Sequence, residues 1–211
     1  MFGAITKTYW AEKMGIDPKN IFVVGIMPCT AKKFEVGRDD MCAAGEGIHD
    51  VDVALTTREL ARMIDRANLY FPHLPDGEFD APLGLSTGAA TIFGTTGGVM
   101  EAALRTAAEW VTGETLTEVD FTEVRGLQGV KEATYKLGDL ELNVAVASSL
   151  TKANEILEKV KAGEKAYHFI EIMGCPGGCI NGGGQPIQPA TVRNFVDLVE
   201  KRAAALYRDD A

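Results

Sequence analysis

Cysteines in tight turns are the residues here with the clearest chemistry. Cys175 and Cys179 stand four apart in Gly-Cys-Pro-Gly-Gly-Cys-Ile-Asn-Gly-Gly-Gly-Gln-Pro, which ends at Pro186, with five glycines between Gly177 and Gly184. Two thiols wrapped in backbone with little side-chain bulk suit a large, anionic, sulfur-loving group such as an iron–sulfur cluster. Glycine lets the main chain approach such a core and point N–H groups at it. The same pattern also describes two free thiols in a glycine loop. A third thiol, Cys29, follows Pro28 at the end of the apolar run Ile21 to Met27. Cys42 has no such setting and reads as a free thiol at a loop or helix edge.

Around these residues the chain reads as α/β. The runs Ile21 to Met27, Val51 to Leu55 and His168 to Met173 are apolar and β-branched, as buried strands are. Cys29 and Cys175 therefore fall at the C-terminal ends of strands, where ligands collect in open α/β sheets. Helical spacing predicts helices over 2–14, 59–68 and 99–111, another from Ser149 to about Ala162, and a last one from Pro189 to Asp209. Residues 119–124 predict a short strand, and Val130 to Tyr135 with Leu140 to Ala147 a β-hairpin around Leu137-Gly138-Asp139. Proline-bearing Phe71 to Ser86 reads as a long surface loop. The glycine- and threonine-rich stretch Ser86 to Gly98 opens a helix, an anion-site geometry, but matches neither the P-loop nor the dinucleotide fingerprint. The expected fold is a mostly parallel twisted sheet flanked by helices, with an appended β-hairpin, in one domain over residues 1–211.

Bulk properties narrow the function. The chain is 211 residues long, 46% apolar and 24% charged, ordinary values for a globular protein. A net charge of −9 and the lack of a basic stripe argue against nucleic acid. No apolar run approaches the roughly 20 residues of a membrane span, and the N-terminus has no signal-peptide pattern. Four cysteines make no disulfide scaffold at this length, so a reducing, cytoplasmic setting with metal-binding or reactive thiols is expected. Zinc competes poorly, since neither cysteine pair has zinc-ribbon spacing and His49, His73 and His168 are isolated. No base partner marks a papain-like nucleophile.

Longer stretches resemble a known family. Ile26-Met27-Pro28-Cys29-Thr30-Ala31-Lys32-Lys33-Phe34-Glu35 is similar to the M-P-C-x-x-K-x-x-E signature of iron-only (FeFe) hydrogenases. Glu171 to Pro186 resembles their E-x-M-x-C-x-x-x-C-x-x-G-G-G-Q-P signature, and Ile92 to Arg105 their I-F-G-x-T-G-G-V-M-E-A-A-L-R stretch. Thr56 to Leu60 and Val124 to Leu127 look familial too, so the resemblance covers nearly the whole chain.

The resemblance implies an H-cluster, a 4Fe-4S cubane joined through a cysteine sulfur to a two-iron centre carrying CO, cyanide and a dithiolate amine. By the same resemblance Cys29 and Cys175 are cubane ligands, and Cys179 also bridges to the two-iron centre. Lys32 resembles the lysine that hydrogen-bonds a cyanide, a fitting task for an ammonium beside an anionic ligand. Met27 and Met173 would be soft walls, with Phe93 and Gly94 lining the pocket. Glu35 would steady the lysine loop, and Pro28 and Gln185 would shape the turns. The implied reaction is reversible reduction of protons to hydrogen, with a ferredoxin-type electron carrier.

One departure stands out. The family's T-S-C-C-P-x-W stretch, which supplies the remaining cubane ligand and a proton-passing cysteine, is not in this sequence. Ferredoxin-like cysteine sets are lacking as well, and the chain stops soon after Tyr207, short of the usual C-terminal segment. The expectation is a C-terminal lobe of the catalytic domain, a fragment or one part of a split enzyme, partnered by an upstream lobe and inactive alone. An iron–sulfur assembly protein and a hydrogen-sensing relative are the alternatives. Retention of Lys32 and of the Ile92 to Gly98 pocket stretch argues against the former, because a scaffold needs no site for a two-iron centre.

Overall fold

The computed structural model describes residues 1–115 and 121–210. Their packing forms two compact units, one of Met1–Leu85 with Gly182–Ile187 and one of Ser86–Asn181 with Gln188–Ala211.

The first unit opens with a helix over residues 2–14: α1 (Phe2–Ile5) and α2 (Ala11–Met14) flank a π-helical turn, Thr6–Trp10. Gly15 ends it in the left-handed conformation, φ 65°, as its C-terminal position predicts. Strand β1 (Val24–Met27) runs straight into Pro28-Cys29 and the single-turn helix α3 (Lys32–Glu35). It pairs in parallel with β2 (Val53–Thr56), Met27 opposite Thr56. Thr56 then caps α4 (Thr57–Arg66) in a capping box: its Oγ1 accepts from the Glu59 amide at 3.2 Å, and Glu59 Oε2 accepts from the Thr56 amide at 2.9 Å.

The run 21–27 reads as a fully buried strand, and the structure differs. Burial alternates along it, leaving Phe22 71% exposed and Val24 and Ile26 exposed too. A parallel strand buries both faces only where layers cover both. Here a two-stranded sheet is the whole sheet of its unit.

In the second unit three strands form a sheet in the order β3-β4-β5. Helix α5 (Gly98–Thr112) precedes β3 (Val130–Leu137), which turns back antiparallel into β4 (Leu140–Ser148). The crossover helix α6 (Leu150–Lys161), capped by Ser149, returns the chain to β5 (Phe169–Met173), parallel to β4. Central β4 explains the core. Val144 and Val146 pack with Met100 and Leu104 of α5, while Ala145 and Ala147 on the other face meet Ala153 and Ile156 of α6. Both faces being covered there, Val144 to Ala147 is a continuous apolar run. The α/β architecture with parallel pairing thus stands, and the predicted hairpin is an integral part of this sheet.

Two local expectations are corrected. Of the strand expected over 119–124, residues 119–120 lie outside the described residues, and Thr122–Val124 is a 3-10 turn. The helix expected from Pro189 to Asp209 is two helices, α7 (Ala190–Arg193) and α8 (Leu198–Asp210). Asp197 divides them, its Oδ1 accepting from the Val199 and Glu200 amides at 2.9 and 3.0 Å as an N-cap.

Candidate functional site

Strand ends position the three thiols. Cys29 lies two residues beyond β1 in the first unit, and Cys175 two residues beyond β5 in the second, with Cys179 opening a 3-10 turn, Cys179–Asn181. None of the four cysteines is in a disulfide; Cys29 is half-buried, and Cys175 and Cys179 are exposed. Cys42 donates its thiol to the Asp39 carbonyl at 2.9 Å, a local loop contact. Among the described residues, neither unit gathers three His, Cys, Asp or Glu side chains at a metal-sized point.

In the first unit Lys32 Nζ lies 2.6 Å from both carboxylate oxygens of Glu35, one helical turn on. That pairing fixes where the ammonium sits. Met27 and Pro28 are half-buried beside it in sequence. The glycine turn is pressed against the Cys29 segment: the Gly184 amide donates to the Pro28 carbonyl at 3.1 Å, and a Cβ on Gly184 would stand 2.8 Å from the Cys29 nitrogen. Half-buried Gln185 is held through its carbonyl, which accepts from Arg58 Nη1 at 2.6 Å.

In the second unit the cysteine loop and the pocket stretch interlock. The Thr96 amide donates to the Gly177 carbonyl at 3.1 Å, and the Gly177 amide donates to Ser148 Oγ at 2.7 Å. Gly178 has φ 100°, and a Cβ there would meet the Gly94 carbonyl oxygen at 2.7 Å, so only glycine fits. Phe93 is exposed, while Gly94 and Met173 are half-buried.

Sequence reasoning assigns no role to two charged residues behind this loop. Glu171, 6% exposed, accepts from the Gly97 amide through Oε1 at 2.6 Å and from the Met100 amide through Oε2 at 2.7 Å. A carboxylate thus closes the N-terminus of α5, where free N–H groups and the helix dipole favour an anion. Lys131, also buried, donates to the carbonyls of Thr96 at 2.9 Å and Gly126 at 2.8 Å. The available signal was a charge interrupting an apolar strand run, Phe-Ile-Glu-Ile-Met.

Burial pulls the Lys131 ammonium down to about 8, against the opposing pull of the Glu171 charge. The unfolded chain keeps this proton to about pH 10.4. Between those values the unfolded state binds more protons, so the wild-type chain gains stability as pH rises. Relative to Lys131→Met, that gain is expected to reach about 2 kcal/mol after solvent screening, measured by urea denaturation across the window. A flat difference between the two proteins would rule the effect out.

Comparison with known proteins bears on what these loops are. A sequence profile of the C-terminal domain of the iron-only hydrogenase large subunit matches residues 1–183. The NADP-reducing hydrogenase subunit HndD of Solidesulfovibrio fructosivorans is 54% identical over the whole chain, which covers 35% of that protein. The periplasmic [Fe] hydrogenase large subunit of Nitratidesulfovibrio vulgaris is 53% identical over 98% of the chain and 48% of its own length. The chain therefore spans about a third to a half of these relatives. Among solved structures, apo [FeFe]-hydrogenase HydA1 from Chlamydomonas reinhardtii, variant C377H, superposes with a TM-score of 0.71 at 40% identity, over 98% of this chain and 57% of that one. On the profile match and these likenesses, the chain belongs to the iron-only hydrogenase family, within the C-terminal domain of its large subunit.

Proposed function

We propose that this chain is the H-cluster-binding part of an iron-only hydrogenase, serving the reversible joining of two protons and two electrons into one hydrogen molecule. The observation that carries this reading is the set of three cysteines, none in a disulfide, in glycine- or proline-shaped turns that follow strands, within the family-matched residues. The donor chemistry fits the cofactor: thiolates are the ligands of iron–sulfur clusters, and the Gly184 and Gly178 backbones leave no side chain in the way.

In this reading Cys29 and Cys175 would hold the cubane, and Cys179 would hold both the cubane and the two-iron centre. When bound, the H-cluster supplies the redox chemistry of proton reduction. The protein's own residues bind it, orient it and keep water off. Lys32, held by Glu35, would offer an N–H to a cyanide of the bound cluster, a charge-assisted bond. Met27, Met173, Phe93 and Gly94 would wall the two-iron centre, and Pro28 and Gln185 would set the turns that carry Cys29 and the glycine run. The remaining cubane ligand comes from a further segment of hydrogenase polypeptide. The exposed apolar side chains of Val24 and Ile26 on β1, and of Phe22 just before it, support such a further layer. Electrons arrive from a ferredoxin-type carrier in the cytoplasm, where thiols stay reduced.

Anaerobic reconstitution with iron and sulfide tests the reading. The chain is expected to bind sulfur-ligated iron, and Cys29→Ser, Cys175→Ser and Cys179→Ser each to weaken binding by more than the about 10-fold usual for supporting residues. Cys42→Ser should bind like wild type. Equal loss in Cys42→Ser, or the lack of any charge-transfer absorption in wild type, sinks the assignment. The matured chain alone is expected to evolve no hydrogen from a reduced dye.

A further inference from the structure

We propose that α8 is a positioning element of the site, acting through Arg202 on the cysteine loop and through Leu206 and Tyr207 on the pocket stretch. The proposal rests on the hydrogenase reading for what is positioned. It concerns residues beyond 183, where the family match ends.

Spacings of four (Arg202, Leu206, Asp210) and three (Tyr207, Asp210) place these residues on one side of α8. Arg202 Nη1 donates to the Ile180 carbonyl at 2.9 Å. That carbonyl belongs to the 3-10 turn opened by Cys179, and a guanidinium on it is a charge-assisted bond. One turn on, Leu206 packs against Gly94, where a Cβ would come within 2.8 Å of its Cδ1. The Tyr207 hydroxyl lies 3.3 Å from that of Thr95, whose Oγ1 also reaches the Ile92 carbonyl at 2.9 Å. The Tyr207 ring itself lies under the Arg125 guanidinium, 4.6 Å from its centroid. Both ends of the helix are tied: Asp197 caps the first turn, and Asp210 takes Arg105 Nη1 and Nη2 at 2.9 and 2.7 Å. One fixed helix thereby touches the segment carrying Phe93 and Gly94 and the segment carrying Cys179.

Hydrogen exchange of the metal-free chain, read by mass spectrometry, tests the clamp. Arg202→Ala is expected to speed exchange over residues 175–181 about tenfold or more, leaving β4 and α6 unchanged. Tyr207→Ala should do the same over 88–96, with Tyr207→Phe intermediate. After anaerobic reconstitution with iron and sulfide, the visible circular dichroism of Arg202→Ala should differ from wild type and return in Arg202→Lys, which restores a cationic donor. Unchanged exchange in 175–181, or a uniform rise along the chain, overturns the proposal, as does a spectrum that Arg202→Ala leaves untouched. Failure of wild type to take up iron instead overturns the cluster assignment, and it is read separately from the exchange of the metal-free chain.

Discussion

Glu171→Ala is expected to destabilise the chain by about 3 to 5 kcal/mol in urea denaturation, among the largest effects of any single substitution here. The Glu171 carboxylate is 6% exposed and serves two amides, Gly97 and Met100, at 2.6 and 2.7 Å. Alanine strands both donors away from water, at about 1 to 3 kcal/mol each. It also removes the negative charge that offsets burial of the Lys131 ammonium. Glu171→Gln should fall in the upper part of the same range, because its NH2 group meets an amide N–H where a carboxylate oxygen accepted one. A loss under about 1 kcal/mol in both variants would mean that the α5 terminus finds other acceptors. The effect reaches the candidate site, since Glu171 sits four residues before Cys175 and ties β5 to the stretch that follows Phe93 and Gly94.

Residues with strong local signals were legible. Gly113 closes α5 near the predicted end, Ser149 caps α6 as its type suggests, and β3 and β4 turn at Gly138-Asp139. The cysteine turns were legible for the same reason, being built from glycine and proline whose backbone limits are written in the residue type. Where a longer-range contact decided the outcome, the sequence was silent. The break at Asp197 is local by contrast: its side chain caps α8 by accepting from amides two and three residues on, a signal that helical spacing through Asn194 to Asp197 hides. Exposure along β1 depends on how many layers cover the sheet, which no property of Ile21 to Met27 encodes. Nothing in Glu101, Lys131, Glu171 or Arg202 taken singly states a structural role. Burial and partners far along the chain make them structural: Glu171 reaches Gly97 across 74 positions, and Arg202 reaches Ile180 across 22.

Glu101→Ala should match Glu171→Ala in size, about 3 to 5 kcal/mol, for a different reason. Glu101 is 0% exposed and holds two guanidiniums. Arg125 donates to it through Nε at 2.8 Å and Nη2 at 2.7 Å, and Arg105 through Nη2 at 2.7 Å. Deleting the carboxylate leaves two partly buried cations facing each other, the costly way to break a buried ion network. A triple variant, Glu101→Leu with Arg105→Met and Arg125→Met, removes all three charges and is expected to recover most of that loss, provided the apolar side chains fill the space. Recovery is bounded by Asp210, which loses Arg105 in the triple variant. Its carboxyl is held below the usual range by the hydrogen bond from Arg105, so the unfolded chain takes up a proton first as pH falls. The stability it contributes is whole above about pH 5 and is lost as pH drops through the folded value. Wild type should therefore show a steeper fall in stability below about pH 5 than Asp210→Asn, with the difference screened because the α8 end is partly open to water. If the triple variant is no more stable than Glu101→Ala, the two arginines are needed for packing, and the Tyr207 ring under Arg125 is the contact to examine next.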